Sequence, residues 1–196
     1  DQPHMKLYEH YFNDLYRKHF HVRSAEVEEL LGLARDPFSG TRNTANLLAN
    51  ADFKFKPARN SKNKKVELTQ STLDAILNTS DRKARQTAWE NYNDQYLEYK
   101  NTLANNLTTS IKQNVFNMKA RNFNSSLEAT LFNGNVPVEM FHTLLNIFKK
   151  NLPLWHRYWK IRRKALNVKT LQPYDVWAPL TAKKHNVPFE KAVNWI

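Results

Sequence analysis

The sequence predicts a mainly α-helical fold, with long helices and one small β-hairpin near residues 53–69. Three observations carry this expectation. Only 3 glycines stand among 196 residues, against an average usage of ~7 %, which disfavours a sandwich or barrel of many tightly turned strands. Apolar residues recur at three- and four-residue steps through most of the chain, the period of a helix with one buried face. From Asp81 to Arg121, moreover, neither Gly nor Pro interrupts that period.

The elements follow in order. Leu7, Tyr8, Tyr11, Phe12, Leu15 and Tyr16 make one apolar face on a helix from about Met5 to Phe20. Ser24 is a good N-cap for a second helix, with Glu26 and Glu28 where the macrodipole favours anions. Its expected buried stripe is Val27, Leu30, Leu31 and Ala34, and Asp36-Pro37 is expected to stop it, because the residue before a proline avoids helical geometry. A short third helix is expected over Thr44–Asn50. Phe53 and Phe55 then alternate with Lys54 and Lys56, and a polar centre leads to Val66-Glu-Leu-Thr. That pattern reads as a basic hairpin with a longer loop. A short helix carrying Leu73, Ile76 and Leu77 comes next.

Ser80 is the expected cap of the longest element. Its stripe runs Ala84, Ala88, Tyr92, Tyr96, Tyr99, Leu103, Leu107, Ile111, Val115 and Met118, which predicts one helix of roughly 40 residues, about 60 Å long. Ser125 or Ser126 caps a further short helix through Leu131. Pro137 suits the first position of another, whose expected buried residues are Met140, Phe141, Leu144, Leu145 and Phe148. Pro153 is expected to kink this helix, which continues to about Leu166. Tyr174-Asp-Val-Trp-Ala-Pro reads as a short strand or extended segment, and Pro188 opens a last helix. Trp177, Phe189 and Trp195 are expected to be exposed. Two domains are expected: an N-terminal helical lobe with the hairpin over 1–80, and a long-helix region over 81–196.

Composition excludes several chemistries. The chain has no cysteine, so disulfides, thiolate zinc sites and cysteine nucleophiles fall away. No apolar run approaches the ~18 residues of a membrane span, and the opening DQPHMKLYEH has no leader pattern. Net charge is +12, distributed by successive fifties as −1, +3 and +3, with +7 in the remainder, centred on Lys160, Arg162, Arg163 and Lys164. That cluster allows a stand-alone basic helical module binding nucleic acid or an acidic protein partner. A solvated helix face explains it equally well.

Histidines stand at 4, 10, 19, 21, 142, 156 and 185, with no pair at the four-residue spacing that sets two imidazoles on one helix face. Glu139-Met-Phe-His142 fits half of a di-iron pattern, which needs a second copy and further carboxylates. No phosphate-binding glycine loop or nucleophile elbow is present. The aromatics fall mainly on helical stripes, so they read as core rather than as base-stacking platforms.

Several segments, in order, resemble the oligoendopeptidase F family of zinc metallopeptidases, within the thimet-oligopeptidase-like group. They are Tyr8-Glu-His-Tyr-Phe, His21-Val-Arg-Ser-Ala-Glu-Val-Glu-Glu-Leu-Leu, Ala51-Asp-Phe-Lys-Phe and Asp81-Arg-Lys-Ala-Arg-Gln-Thr-Ala-Trp. Tyr99-Lys-Asn-Thr-Leu-Ala, Phe116-Asn-Met-Lys-Ala-Arg and Ser126-Leu-Glu-Ala-Thr-Leu-Phe-Asn-Gly-Asn-Val-Pro follow. Leu152-Pro-Leu-Trp-His-Arg-Tyr and Tyr174-Asp-Val-Trp-Ala-Pro-Leu complete the series.

The resemblance implies an elongated helical molecule around a deep channel that admits short oligopeptides. It also implies one zinc held by a His-Glu-x-x-His helix and a downstream Glu, with the motif Glu as general base. Those elements lie C-terminal to the last matching segment, so no catalytic, cofactor-binding or metal-ligating residue carries over to any position here. The expectation is therefore the N-terminal-to-central part of a cytoplasmic zinc oligoendopeptidase, forming a lobe and channel wall. Its expected partners are short oligopeptides and the C-terminal catalytic part of the same protein, with no membrane and no specific nucleic acid. The full-length enzyme would hold zinc, and this chain alone would hold none.

Overall fold

A computed structural model describes residues 3–181 and 187–195. Helices dominate, with a single two-stranded antiparallel sheet among the described residues. They fall into two compact units, each assembled from segments distant in sequence. The first joins Asp1–Phe53 with Tyr99–Lys150, and the second joins Lys54–Glu98 with Asn151–Ile196.

In the first unit a 3-10 turn over Pro3–Tyr8 leads into α1 (Glu9–His19). The apolar face expected on this segment is largely open: Leu7, Tyr8, Tyr11, Leu15 and Tyr16 are all exposed. Helix α2 (Ala25–Leu33) buries Leu31 but leaves Leu30 exposed. Pro37 does not open a loop there. It sits in the first turn of α3 (Arg35–Leu47), where its missing N–H would have had no helical partner anyway. The helix expected over Thr44–Asn50 is the end of α3 followed by a π-turn, Leu48–Asp52.

The 40-residue helix is two helices, α5 (Arg82–Glu98) in the second unit and α6 (Lys100–Ala120) in the first, separated at Tyr99. Tyr99 has φ −102° and ψ 15°, outside the helical well. Its ring packs 5.1 Å from that of buried Phe53. Helix α6 holds α3 through Asn106 Nδ2, which donates to the Thr41 carbonyl at 2.6 Å, and through the Thr41 hydroxyl on Gln113 Oε1 at 3.1 Å. Helix α7 (Ser126–Phe132) begins as expected at Ser125, whose hydroxyl accepts the Glu128 N–H at 3.0 Å.

Helix α8 (Val138–Ala165) continues through Pro153. Met140, Phe141, Leu144, Leu145 and Phe148 are not buried; every residue from Glu139 to Asn151 is exposed. None of the described elements covers this apolar face.

The second unit contains the hairpin, shorter than the alternation suggested. Strands β1 (Ala58–Arg59) and β2 (Lys65–Val66) pair Ala58 with Val66 and Arg59 with Lys65. The loop is built on Asn60, whose Oδ1 accepts the N–H groups of Lys62 and Lys64 at 3.1 and 2.8 Å. The backbone of α5 carries Ala84 and Ala88 where β1 approaches, and their small side chains let the strand lie close. Thr87 then completes the outer edge of β1, accepting the Arg59 N–H at 2.8 Å and donating to the Arg59 carbonyl at 2.9 Å. An edge finished by side chains offers no free ladder to another strand.

Helix α4 (Gln70–Leu77) opens with a capping box between Thr69 and Thr72. Leu68, Ile76, Ala58, Ala84 and Ala88 form the core, with Phe55 stacked on Tyr92 at 4.9 Å. Burial first, then the Tyr96 hydroxyl, pushes the Tyr92 phenol up to about 12. The cap of α5 is Asp81 rather than Ser80: Asp81 Oδ1 accepts the Ala84 N–H at 3.0 Å. Helix α9 (Phe189–Val193) follows Pro188 as expected.

The three glycines show no positive φ, and the chain's tight reversals fall to another residue. Among the described residues the positive-φ non-glycine positions are Asn63, Asn122, Asn135 and Asn167. Asparagine tolerates the left-handed region better than other side chains. The last three follow α6, α7 and α8 closely, so a glycine-poor chain still ends its helices sharply.

Candidate functional site

The 3-10 turn Pro173–Asp175 occupies the segment expected to be extended. Pro173 presets φ at its first position, and Asp175 Oδ2 accepts the Gln172 N–H at 3.1 Å, closing the turn on itself. This places the Asp175 carboxylate, fully buried, against α5 and α8. Arg82 and Arg85 stand three residues apart on α5 and therefore share a face. Arg82 grips both carboxylate oxygens, Nε to Oδ1 at 3.0 Å and Nη2 to Oδ2 at 2.8 Å. Arg85 adds Nη2 to Oδ1 at 3.0 Å, Nη1 to the Thr79 carbonyl at 2.7 Å and Nε to the Tyr174 carbonyl at 2.9 Å. From α8, Arg162 donates through Nε to the Asp175 backbone carbonyl at 3.1 Å and through Nη2 to the Ala178 carbonyl.

Burial alone would raise the Asp175 pKa. The Arg82 hydrogen bonds, the Gln172 amide and Arg85 outweigh it and hold the carboxyl below its ordinary range. Both oxygens are engaged by several donors, so Asp175 has no lone pair aimed at an open face. It is a clasp fastening the 173–178 turn to two helices. Two guanidinium groups, of Arg82 and Arg85, share this one carboxylate, while Arg162 binds backbone carbonyls and forms no ion pair among the described residues.

Arg162 also lines a groove of about 660 Å³ walled by Leu154, Trp155, Tyr158 and Trp159 of α8 and by Val176 and Trp177. Leu154, Trp155, Tyr158 and Trp177 are exposed. The basic run 160–164 is thus not one surface stripe: Arg162 is 6 % exposed, while Lys160, Arg163 and Lys164 face solvent. A phosphate-binding reading loses its central cation.

In the first unit, His21 is the best-fixed imidazole. It stacks on Phe123 at 3.7 Å and its Nδ1 lies 2.8 Å from the Arg121 carbonyl. Arg121 in turn pairs with both oxygens of Glu28, at 2.8 and 2.9 Å, which keeps that carboxyl below its ordinary range. These contacts fasten the start of α2 to the end of α6. His10, His19, His142 and His156 are exposed, as is Glu139, and His185 lies outside the described residues. Among the described residues no group of three or more His, Asp or Glu side chains is placed to hold a metal ion. Trp177, Phe189 and Trp195 are exposed, as expected.

The Asp175 clasp was absent from the sequence reading, although both halves of it stand in segments that carry the family resemblance, Asp81-Arg-Lys-Ala-Arg and Tyr174-Asp. Two family models match the chain: oligopeptidase F over residues 1–55 and peptidase family M3 over residues 75–194. Group B oligopeptidase PepB from Streptococcus agalactiae is 31 % identical over 98 % of this chain and 32 % of its own length. The crystal structure of oligoendopeptidase-F from Enterococcus faecium superimposes with a TM-score of 0.85 at 33 % identity, covering 94 % of this chain and 36 % of that one. A Chlamydophila abortus crystal structure reaches a TM-score of 0.92 at 29 % identity over 99 % of this chain and 32 % of that one. The chain spans about a third of the length of the curated relatives it matches. It belongs to peptidase family M3, in its oligoendopeptidase F branch.

Proposed function

We propose that this chain is the N-terminal-to-central part of a zinc-dependent oligoendopeptidase that hydrolyses internal bonds of short peptides. It supplies scaffold and channel wall and is inactive by itself. The observation that carries this reading is the ordered pair of family matches, over 1–55 and 75–194, in a chain about one third as long as the relatives. Along the sequence we also propose an N-terminal lobe, 1–80, followed by a region, 81–196, leading toward the catalytic centre; the compact units of the fold cross this sequence division. Zinc does not fit this chain: the sequence holds no His-Glu-x-x-His motif, and the described side chains bring no third donor to any two others. No hydrolytic step is therefore assigned to its residues. Among the described residues no helix is long and apolar enough to cross a membrane. A chain without cysteine suits the reducing cytoplasm.

Two measurements test the reading. Metal analysis of the dialysed 196-residue chain, with a quenched fluorescent peptide as substrate, is expected to show neither stoichiometric zinc nor turnover. The parent gene is expected to encode His-Glu-x-x-His beyond Ile196. Chelator-sensitive turnover by this chain, or a parent without the motif, would overturn it.

A further inference from the structure

The groove beside Arg162 has two properties that pull in different directions. Its rim is aromatic and open, with Trp177 62 % and Leu154 65 % exposed. Contiguous apolar surface of this kind marks a contact face. Its wall, however, holds a guanidinium that is nearly inaccessible and, among the described residues, pairs with no carboxylate. Asp175 is spent on Arg82 and Arg85. The remaining Arg162 nitrogen, Nη1, meets the Tyr158 hydroxyl at 3.4 Å, at the long limit of a hydrogen bond. A buried cation without a counter-charge is costly, and a carboxylate arriving with the covering segment would remove that cost. The occupant is therefore apolar and carries an acidic side chain.

Charge and length say where such a segment comes from. The chain carries 30 basic against 18 acidic residues, so an acidic neighbour complements it. A second copy, equally basic, does not. The relatives are about three times as long as this chain, so about two thirds of a relative-sized polypeptide lies outside it. We infer that the groove walled by Trp155, Tyr158 and Trp177 seats an apolar segment of the same polypeptide from beyond residue 196, whose Asp or Glu pairs with Arg162. This rests on the reading of the chain as part of a longer peptidase.

Hydroxyl-radical footprinting of the 196-residue chain and of the full-length parent, read at Trp155 and Trp177 by mass spectrometry, tests the seat. Oxidation of both is expected to fall severalfold in the parent. Carbodiimide labelling of parent carboxylates is expected to find one Asp or Glu beyond 196 that is protected in the wild type and released in Arg162→Met. If that variant fails to fold, the wild-type protection of Trp155 and Trp177, together with a protected carboxylate beyond 196, still decides. A parent that binds zinc and cleaves peptides while both tryptophans stay fully labelled would overturn the inference and leave the proposed function standing. Protection in a parent that lacks zinc would do the reverse. Dimerisation of the 196-residue chain, with the groove protected and the dimer lost in Trp177→Glu, would assign the seat to a second copy and overturn the inference.

Discussion

Arg85 Nη2 donates to Asp175 Oδ1 at 3.0 Å across ninety residues of sequence, and both side chains are almost wholly removed from solvent. The pair ties α5 to the turn that Asp175 closes, and Arg162 ties the same turn to α8. Removing the single carboxylate leaves the buried Arg85 guanidinium without its counter-charge. Asp175→Asn is therefore expected to destabilise the second unit by about 3–5 kcal/mol, the cost of breaking a buried pair from one side. Arg82→Gln is expected to cost less, about 1 kcal/mol, because the Arg82 side chain is 43 % exposed and water replaces part of its bonding. Urea unfolding followed by tryptophan fluorescence measures both.

Acid should act on the same pair. The folded pKa of Asp175 lies below its unfolded value, so the native state binds fewer protons than the unfolded one. Its stabilisation is complete above the ordinary carboxylate value, about pH 4, and is lost as pH falls through the lower folded value. Glu28, paired with Arg121, has the same sign in the first unit. The unfolding midpoint is expected to drop steeply below about pH 4, and the drop is expected to be shallower in Asp175→Asn. An identical profile in that variant would remove Asp175 from the explanation.

The helical class, the hairpin, the Ser125 cap and the passage of α8 through Pro153 were all legible, because each rests on local chemistry. The break at Tyr99 was not, since the apolar stripe runs through it without a glycine or proline. Its cause is tertiary, with the Tyr99 ring lodged beside Phe53. The 173–175 turn was missed because β-branched and aromatic residues around it mimic a strand. The closing contact there is a side chain bonding its own backbone three residues earlier. Periodicity placed apolar stripes on α1 and α8, yet the residues expected to be buried on α8 are exposed, because a helical period does not say whether a face is covered. Arg162 was read with its basic neighbours because charge in a sequence carries no direction, whereas a helix turns each residue by 100°.

Asp81 serves two elements at once. One oxygen caps α5 through the Ala84 N–H, and the other accepts both the Ser61 N–H at 2.9 Å and its hydroxyl at 2.7 Å. Asp81→Ala is expected to cost about 1–2 kcal/mol, the upper range for a lost cap, because the hairpin loop loses its anchor as well. Amide hydrogen exchange should show faster exchange at both Ala84 and Ser61. Faster exchange at Ala84 alone would confine Asp81 to the cap.

Tyr92 supplies a spectroscopic check on the core of the second unit. Its phenol is stacked on Phe55 and bonded to the Tyr96 hydroxyl at 3.2 Å, and its pKa is pushed up to about 12. Ultraviolet titration of the folded chain is expected to show one tyrosine ionising near that value, absent in Tyr92→Phe. Loss of the component in Tyr96→Phe would instead assign it to the neighbour.

The apolar face of α8 separates two accounts of this chain. If Leu144 and Phe148 were core residues, as their spacing suggests, replacing each with glutamate would cost at least the 2–5 kcal/mol of a core truncation. They are 65 % and 53 % exposed, so in the 196-residue chain Leu144→Glu and Phe148→Glu are expected to change stability by no more than about 0.5 kcal/mol. Binding of a hydrophobic dye should fall in both variants, because the patch itself shrinks. In a full-length parent that covers this face, the same substitutions would bury an unpaired carboxylate and lower the melting temperature. A large loss of stability in the 196-residue chain would show that its own helices already cover the stripe in solution.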